Sequence, residues 1–144
     1  MSEPSQPAAL LCPSAQPEWP GSVVIGVVGG TVDEPRVAHL EQPVPTDGAL
    51  LQLTIPVTPT EVFRFAAPCV GHGCVHFAHN RCQLAQRVVV LLEEVTKDLP
   101  KCQIRPACRW WQQEGRAACK RCPQVITDNY NPSAHLVTVA GPQQ

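Results

Sequence analysis

The sequence predicts an α+β fold, in which a small β-rich N-terminal module packs on a helical, cysteine-ligated C-terminal module. Two observations predict it. In the first half, short apolar runs rich in β-branched residues are separated by glycine and proline, a pattern typical of strands. The second half carries an apolar stripe at helical spacing and seven of the eight cysteines. We therefore divide the 144 residues into an irregular arm (1–21), a β-rich module (22–67), a cysteine-rich metal-binding helical module (68–127) and a tail (128–144).

In the first half, the arm is rich in proline, serine and glutamine, which favours irregular structure. Residues 22–28 form an apolar run that ends in two glycines, which predicts a buried strand and a turn, and residues 36–40 are expected to be the return strand of a hairpin. Residues 49–57 are predicted to form a second apolar strand. Residues 61–67 are predicted to form a third strand or a short helix.

In the second half, Asn80 is a suitable N-cap, and Gln83 completes a capping box. The predicted helix should end near Asp98, because a proline follows two residues later. A second helix is predicted to begin at Pro106 and to break at Gly115. Residues 124–144 are expected to form a short extended segment and a polar tail. The apolar face of the first helix comprises Leu84, Val88, Leu91, Leu92 and Val95.

The cysteine content points to a metal. No secretory leader pattern opens the sequence, and no apolar run approaches the roughly 20 residues of a membrane span. We therefore expect a cytoplasmic protein without a membrane partner, in which closely spaced cysteines are metal ligands or redox groups rather than disulphides. Sixteen prolines and only seven aromatic residues also imply a thin core that a metal would stabilise.

The spacing of the last seven cysteines is C-x4-C-x7-C-x19-C-x5-C-x10-C-x2-C. Cys119 and Cys122 form the sharpest signal, since two intervening residues let both thiolates face one metal. Zinc ribbons usually show two such pairs, whereas this chain has one, followed by Pro123. The spacing therefore favours an iron–sulphur cluster, 4Fe–4S above other types, with zinc as the alternative.

The ligand set follows from the predicted helices. From Cys82 to the expected helix end is about 24 Å at 1.5 Å per residue, which would place Cys102 at the far end. An antiparallel second helix would return the CxxC pair to the start of the first. The predicted ligands are Cys74, Cys82, Cys119 and Cys122. Second-tier candidates are Cys69, Cys102 and Cys108.

Two other groupings remain open. One joins Cys102, Cys108, Cys119 and Cys122. The other places two four-iron clusters on all eight thiols, including Cys12, which is otherwise expected to be an accessible free thiol.

Three histidines, His72, His76 and His79, surround Cys74 in the sequence. One of them could be a ligand or a hydrogen-bond donor to a cluster, or all three could lie unengaged in a polar loop. His39 and His135 are expected at the surface.

Charge is unevenly distributed along the chain. Residues 1–80 carry seven acids and two bases, and residues 81–122 carry four acids and nine bases, giving −5 and +5. The basic residues either offset thiolate charge or form a patch for an acidic protein partner or for nucleic acid. In the second case one ring of Trp110-Trp111 would be exposed for stacking.

The predicted function is electron transfer or redox sensing by an iron–sulphur protein that docks on an acidic protein partner. The alternatives are a zinc-stabilised module that contacts nucleic acid or protein, an accessory or assembly factor for a metalloenzyme, and a thiol redox enzyme using the CxxC pair. The sequence contains no nucleophile–base motif, paired-carboxylate signature or nucleotide fingerprint, so an enzyme is not expected.

Overall fold

A computed structural model of the chain describes residues 10–31, 34–127 and 134–141. Its main sheet is antiparallel, has four strands and follows the order β1-β4-β2-β3. The strands are β1 (Leu11–Ala15), β2 (Val23–Gly30), β3 (Pro35–Pro45) and β4 (Phe63–Pro68). A second sheet pairs β5 (Phe77–Ala78) with β6 (Arg81–Cys82).

The helices of the described residues are short. They are α1 (Gly48–Gln52), α2 (Pro59–Val62), α3 (Gln83–Leu91), α4 (Arg109–Glu114), α5 (Arg116–Cys119) and α6 (Ala134–Ala140). Three 3₁₀ turns accompany them, at Gly71–Gly73, Arg105–Ala107 and Cys122–Gln124. Strands and helices together confirm the predicted α+β class. Among the residues described, no helix has the length and apolar character needed to cross a membrane.

The predicted hairpin is confirmed, because β2 pairs antiparallel with β3 from Val23↔Pro45 to Gly30↔Pro35. Gly26 lies at a bulge, where a Cβ would come within 2.5 Å of the Val37 side chain, so the close approach of the two strands requires glycine. Residues 61–67 combine both predicted structures, the end of α2 and most of β4.

The arm is not wholly irregular. Residues 1–9 lie outside the described part, but β1 pairs with β4 at the edge of the main sheet, with Cys12 opposite Ala67. The expectation of an irregular arm over 1–21 is therefore corrected at β1. Proline and serine are tolerated in β1 because edge strands leave some backbone groups without a ladder partner.

The predicted strand over residues 49–57 is wrong. Asp47 accepts a hydrogen bond from the Leu50 N–H at 2.8 Å and caps α1. Beyond α1 the chain turns, and Leu53 and Ile55 are 79% and 71% exposed. The apolar run therefore does not enter the core.

The start of α3 also differs from the prediction. His79 and Asn80 both have positive φ, 55° and 61°, and form the tight turn between β5 and β6. Asn80 is thus a turn residue, and the N-cap is Cys82, whose sulphur accepts from the Ala85 N–H at 3.5 Å.

The end of α3 comes at Leu91 rather than near Asp98. Leu92 is extended, and residues 92–95 are hydrogen-bonded to the segment that contains the CxxC pair. Arg121 Nε donates to the Leu92 carbonyl at 2.7 Å, and the Val95 N–H donates to the Lys120 carbonyl at 3.0 Å. Tertiary hydrogen bonds therefore override the helical pattern of the sequence.

The second predicted helix begins later than expected, at Arg109 after a 3₁₀ turn, and it breaks at Gly115 as predicted. Gly115 has φ 68°, a conformation that glycine adopts without strain. The expected extended segment near the C-terminus is corrected by α6, whereas residues 128–133 and 142–144 lie outside the described part.

One apolar cluster joins the main sheet to the helices. Its buried members include Ile25 and Ala66 from the sheet, Val88 from α3, Trp110 from α4 and Val139 from α6. Trp110 is the largest of the side chains that are less than 2% exposed, and it lies where the cysteines gather.

Candidate functional site

The eight cysteines form two sets of four, each lining one cavity. None of the eight forms a disulphide. The N-terminal cysteine set consists of Cys12, Cys69, Cys74 and Cys82. The C-terminal cysteine set consists of Cys102, Cys108, Cys119 and Cys122.

The N-terminal cysteine set is assembled by backbone pairing. β1 places Cys12 opposite Ala67 in β4, and the Cys69 N–H donates to the Leu10 carbonyl at 2.7 Å. Gln113 in α4 fixes Cys82, because its Oε1 accepts from the Cys82 N–H at 2.8 Å and its Nε2 donates to the Cys82 carbonyl at 2.9 Å. No feature of the sequence indicates this role of Gln113.

The C-terminal cysteine set is explained by the short α3. A nine-residue helix spans about 13 Å rather than 24 Å, so the chain turns early and Cys102 reaches the cavity of the CxxC pair. Cys108 caps α4, Cys119 ends α5, and Cys122 begins a 3₁₀ turn. The helix ends thus carry three of the four thiols.

The predicted ligand combination is divided between the two cavities. Cys74 and Cys82 line the first, and Cys119 and Cys122 line the second. The structure instead groups the thiols as the two open alternatives did. Cys12, expected to be an accessible free thiol, is only partly exposed and lines the first cavity.

The thiols surround these cavities without meeting at one point. Within the described ranges, no group of three or more His, Cys, Asp or Glu side chains is arranged to hold a metal ion. The donor type nonetheless fits soft-metal chemistry, because four cysteine sulphurs are the ligands of structural zinc and of iron–sulphur clusters alike.

Backbone N–H groups are directed at the cysteine sulphurs. Three of them donate hydrogen bonds: Gly71 to Cys69 and His76 to Cys74, each at 3.4 Å, and Ala85 to Cys82 at 3.5 Å. At Cys12, Cys102 and Cys108, where burial raises the pKa, the nearby N–H groups of Ser14, Ile104 and Trp111 oppose that rise. A neutral thiol is a weak acceptor, whereas hydrogen bonds to an anionic sulphur are stronger and tune metal sites. The backbone is therefore arranged for thiolates.

In the metal-free chain, burial disfavours the thiolate form of the cysteines. It raises the pKa of Cys12 and of Cys108 from 9.0 to about 12, and neighbouring cysteines add to the rise. Burial likewise raises the pKa of Cys82, Cys102 and Cys119. Four thiolates side by side need a cation to neutralise them, and a bound metal supplies it.

Arg64 lies fully buried beside the C-terminal cysteine set. Its guanidinium donates to the carbonyls of Pro13, Cys122 and Val125 and, from Nη2, to the Cys122 sulphur at 3.2 Å. It also lies 5.3 Å from the centre of the Trp110 ring. No carboxylate of the described residues forms an ion pair with it. A buried charge is costly without a counter-charge, and the neighbouring group that can supply one is a thiolate.

Two buried donors at the C-terminal cavity have no hydrogen-bond partner among the described residues. They are Arg105 Nε and Trp110 Nε1. Most buried donors in proteins are paired, so these atoms leave room for an acceptor that the described residues do not supply. Sulphide in an anionic cluster would be one.

The histidines are distributed differently from the prediction. His76 is buried, lines the N-terminal cavity and contacts Arg87 Nη2 through Nδ1 at 2.9 Å, while burial and then Arg87 lower its pKa. His79 is an exposed turn residue, and the side chain of His72 lies outside the described part. His39, expected at the surface, is partly buried and lines the C-terminal cavity, where burial, Arg64 and Arg105 lower its pKa to about 4.

Several basic residues are engaged inside the chain. Arg109 Nε donates to the Cys69 sulphur at 3.0 Å, and Arg121 donates to two backbone carbonyls. The two tryptophans are also packed inside the protein. Trp110 is 1% exposed, and Trp111 is partly buried, with the Arg105 guanidinium 5.6 Å from its ring centre. Neither ring is the fully exposed stacking platform that the nucleic-acid alternative requires.

Comparison of the chain with protein families, with characterised proteins and with solved structures finds no match. The chemistry of its own residues is therefore the basis for inferring its function.

Proposed function

We propose that the C-terminal cysteine set binds a 4Fe–4S cluster and that the protein transfers electrons to or from a protein partner, or senses redox state through it. When bound, such a cluster gains or loses one electron at a time and needs no further catalytic residue. Four thiols around one cavity, the Cys119-x-x-Cys122 pair and backbone N–H groups at Cys102 and Cys108 support the proposal.

The observation that carries it is the burial of Arg64. A guanidinium with no exposure, no carboxylate among the described residues and a donor on the Cys122 sulphur needs local negative charge. A four-iron cluster with four thiolate ligands is anionic, whereas the burial-raised pKa values at Cys102, Cys108 and Cys119 favour neutral thiols before a metal binds. Arg64 therefore matches the metal-bound state.

The partner would meet the basic half of the chain. Lys97, Lys101 and Arg116 are exposed. Exposed basic side chains attract an acidic protein surface at long range. Zinc in the C-terminal cysteine set is the competing occupant, and with it the chain would be a binding module rather than an electron carrier.

Redox titration of anaerobically purified protein tests the proposal. We expect visible absorption that bleaches with dithionite, returns on reoxidation and is accompanied by a paramagnetic signal in the reduced state. Cys122→Ala should remove the contribution of this site, and Gln103→Ala, an exposed change between Cys102 and Cys108, is the matched control. A colourless protein with stoichiometric zinc would refute electron transfer.

A further inference from the structure

We propose that the N-terminal cysteine set holds a second 4Fe–4S cluster, so that the protein carries two clusters side by side. This inference rests on the proposed function and extends it from one redox centre to a pair. It is based on the grouping of Cys12, Cys69, Cys74 and Cys82 around one cavity, with Trp110 in its wall.

Backbone and side-chain hydrogen bonds hold the cysteines of this site in position. Cys12 is carried to it by an edge strand, Cys69 is tied to Leu10, and Cys82 is held by both polar atoms of the Gln113 amide. Three of the four sulphurs accept a backbone N–H: Cys69 from Gly71 and Cys74 from His76, each at 3.4 Å, and Cys82 from Ala85 at 3.5 Å. Incidental thiols would not share backbone hydrogen bonds across a loop and a helix cap.

The charge pattern repeats that of the C-terminal cysteine set. Arg109 Nε lies 3.0 Å from the Cys69 sulphur, and its guanidinium lies 5.1 Å from the centre of the Phe77 ring. In the part of the chain that is described, Arg109 forms no ion pair with a carboxylate. Each cysteine set therefore has one arginine that donates to a cysteine sulphur and lies over an aromatic ring.

The two sites share structural elements. Trp110 lines both cavities, and the backbone of Leu11 bridges to that of Cys108. Within β1, Cys12 lines one cavity and Pro13 the other, as successive strand residues do. The two cavities thus share the Trp110 ring and both adjoin β1, which suits passage of an electron from one cluster to the other inside the chain.

Metal and sulphide analysis of matched single variants tests the inference. Wild-type protein should contain about eight iron and eight sulphide per chain. Cys12→Ala and Cys74→Ala should each lose about half of both, as should Cys102→Ala from the other set, while Gln103→Ala loses none. Retention of the remaining half shows that each variant still folds.

Three results would overturn the inference. One is about four iron per chain, unaffected by Cys12→Ala and Cys74→Ala but abolished by Cys102→Ala, which would leave the proposed function standing. Another is zinc, rather than iron, lost from those two N-terminal variants. The third is a protein with neither metal, which would refute both. Iron lost only from the N-terminal variants would instead support this site and refute the proposed one.

Spin coupling gives an independent readout. In fully reduced wild-type protein, two neighbouring paramagnetic clusters should broaden and split each other's resonance signal. Cys12→Ala should restore the simple spectrum of one isolated cluster. A wild-type spectrum that equals the sum of two uncoupled signals would contradict the side-by-side arrangement.

Discussion

Replacing Arg64 with methionine tests whether the C-terminal cysteine set carries the negative charge that we propose for it. Methionine keeps an apolar stem and removes the guanidinium. Three backbone carbonyls, those of Pro13, Cys122 and Val125, then lose their donor, as does the Cys122 sulphur. The substitution therefore acts on both the folded chain and the site.

The free-energy loss caused by Arg64→Met differs between the metal-free and the cluster-bound protein. Each buried carbonyl left unpaired costs about 1–3 kcal/mol. In the metal-free chain, removing a buried charge that has no carboxylate partner among the described residues offsets part of that cost, so we expect a net loss of about 1–3 kcal/mol. In the cluster-bound chain, a charge-assisted hydrogen bond of about 2 kcal/mol is lost as well, which corresponds to about 30-fold faster cluster release.

Two assays separate these effects. Urea unfolding of reduced, metal-free protein measures the loss of folding stability, and the rate of bleaching in excess chelator measures the rate of cluster release. Arg116→Met, on the exposed face of α5, is the matched control and should change stability by no more than about 0.5 kcal/mol. If Arg64→Met destabilises the metal-free chain but releases its cluster at the wild-type rate, Arg64 is a packing residue and the reasoning is refuted.

Three further predictions concern pH and positioning. Metal-free protein should lose stability as pH rises from 9.0 toward 12, because native Cys12 and Cys108 keep protons that the unfolded chain has released; a flat profile in urea unfolding would contradict this. Stability should also fall as pH drops from 6.5 toward 4, because the unfolded chain protonates His39 first, and an unchanged acid profile in His39→Gln would refute the assignment. Gln113→Ala should weaken iron retention in the N-terminal cysteine set only, while Gln112→Ala, an exposed neighbour, serves as the control; equal loss from both sets would count against a positioning role.

The fold class and the hairpin were predictable because they depend on local pattern. The β-branched run in β2 and the glycines that end it predict a strand and turn without long-range information. The break at Gly115 follows from glycine's access to positive φ. The prediction of a strand over 49–57 is wrong because Asp47 caps a helix there and a turn follows it. The apolar side chains of this run are not buried in the core, so they do not stabilise a strand.

The site was only partly predictable. Spacing predicts that the cysteines form a metal-binding group, but it left their division into two sets open. That division depends on the early end of α3, where Arg121 donates to the Leu92 carbonyl and the Lys120 carbonyl accepts from the Val95 N–H, both from more than 20 residues away. The His79-Asn80 turn carried a usable signal, since asparagine is common where a hairpin needs positive φ. No sequence signal indicated the buried position of Arg64 or the contacts of Gln113 with the Cys82 backbone.

The most direct measurement is iron and acid-labile sulphide analysis, with a visible absorption spectrum, on full-length protein purified without oxygen. We expect a brown protein with equal iron and sulphide, about eight of each per chain when both sets are filled. A colourless protein with no sulphide, whether it contains zinc or no metal, would refute the proposal that the cysteine sets bind iron–sulphur clusters.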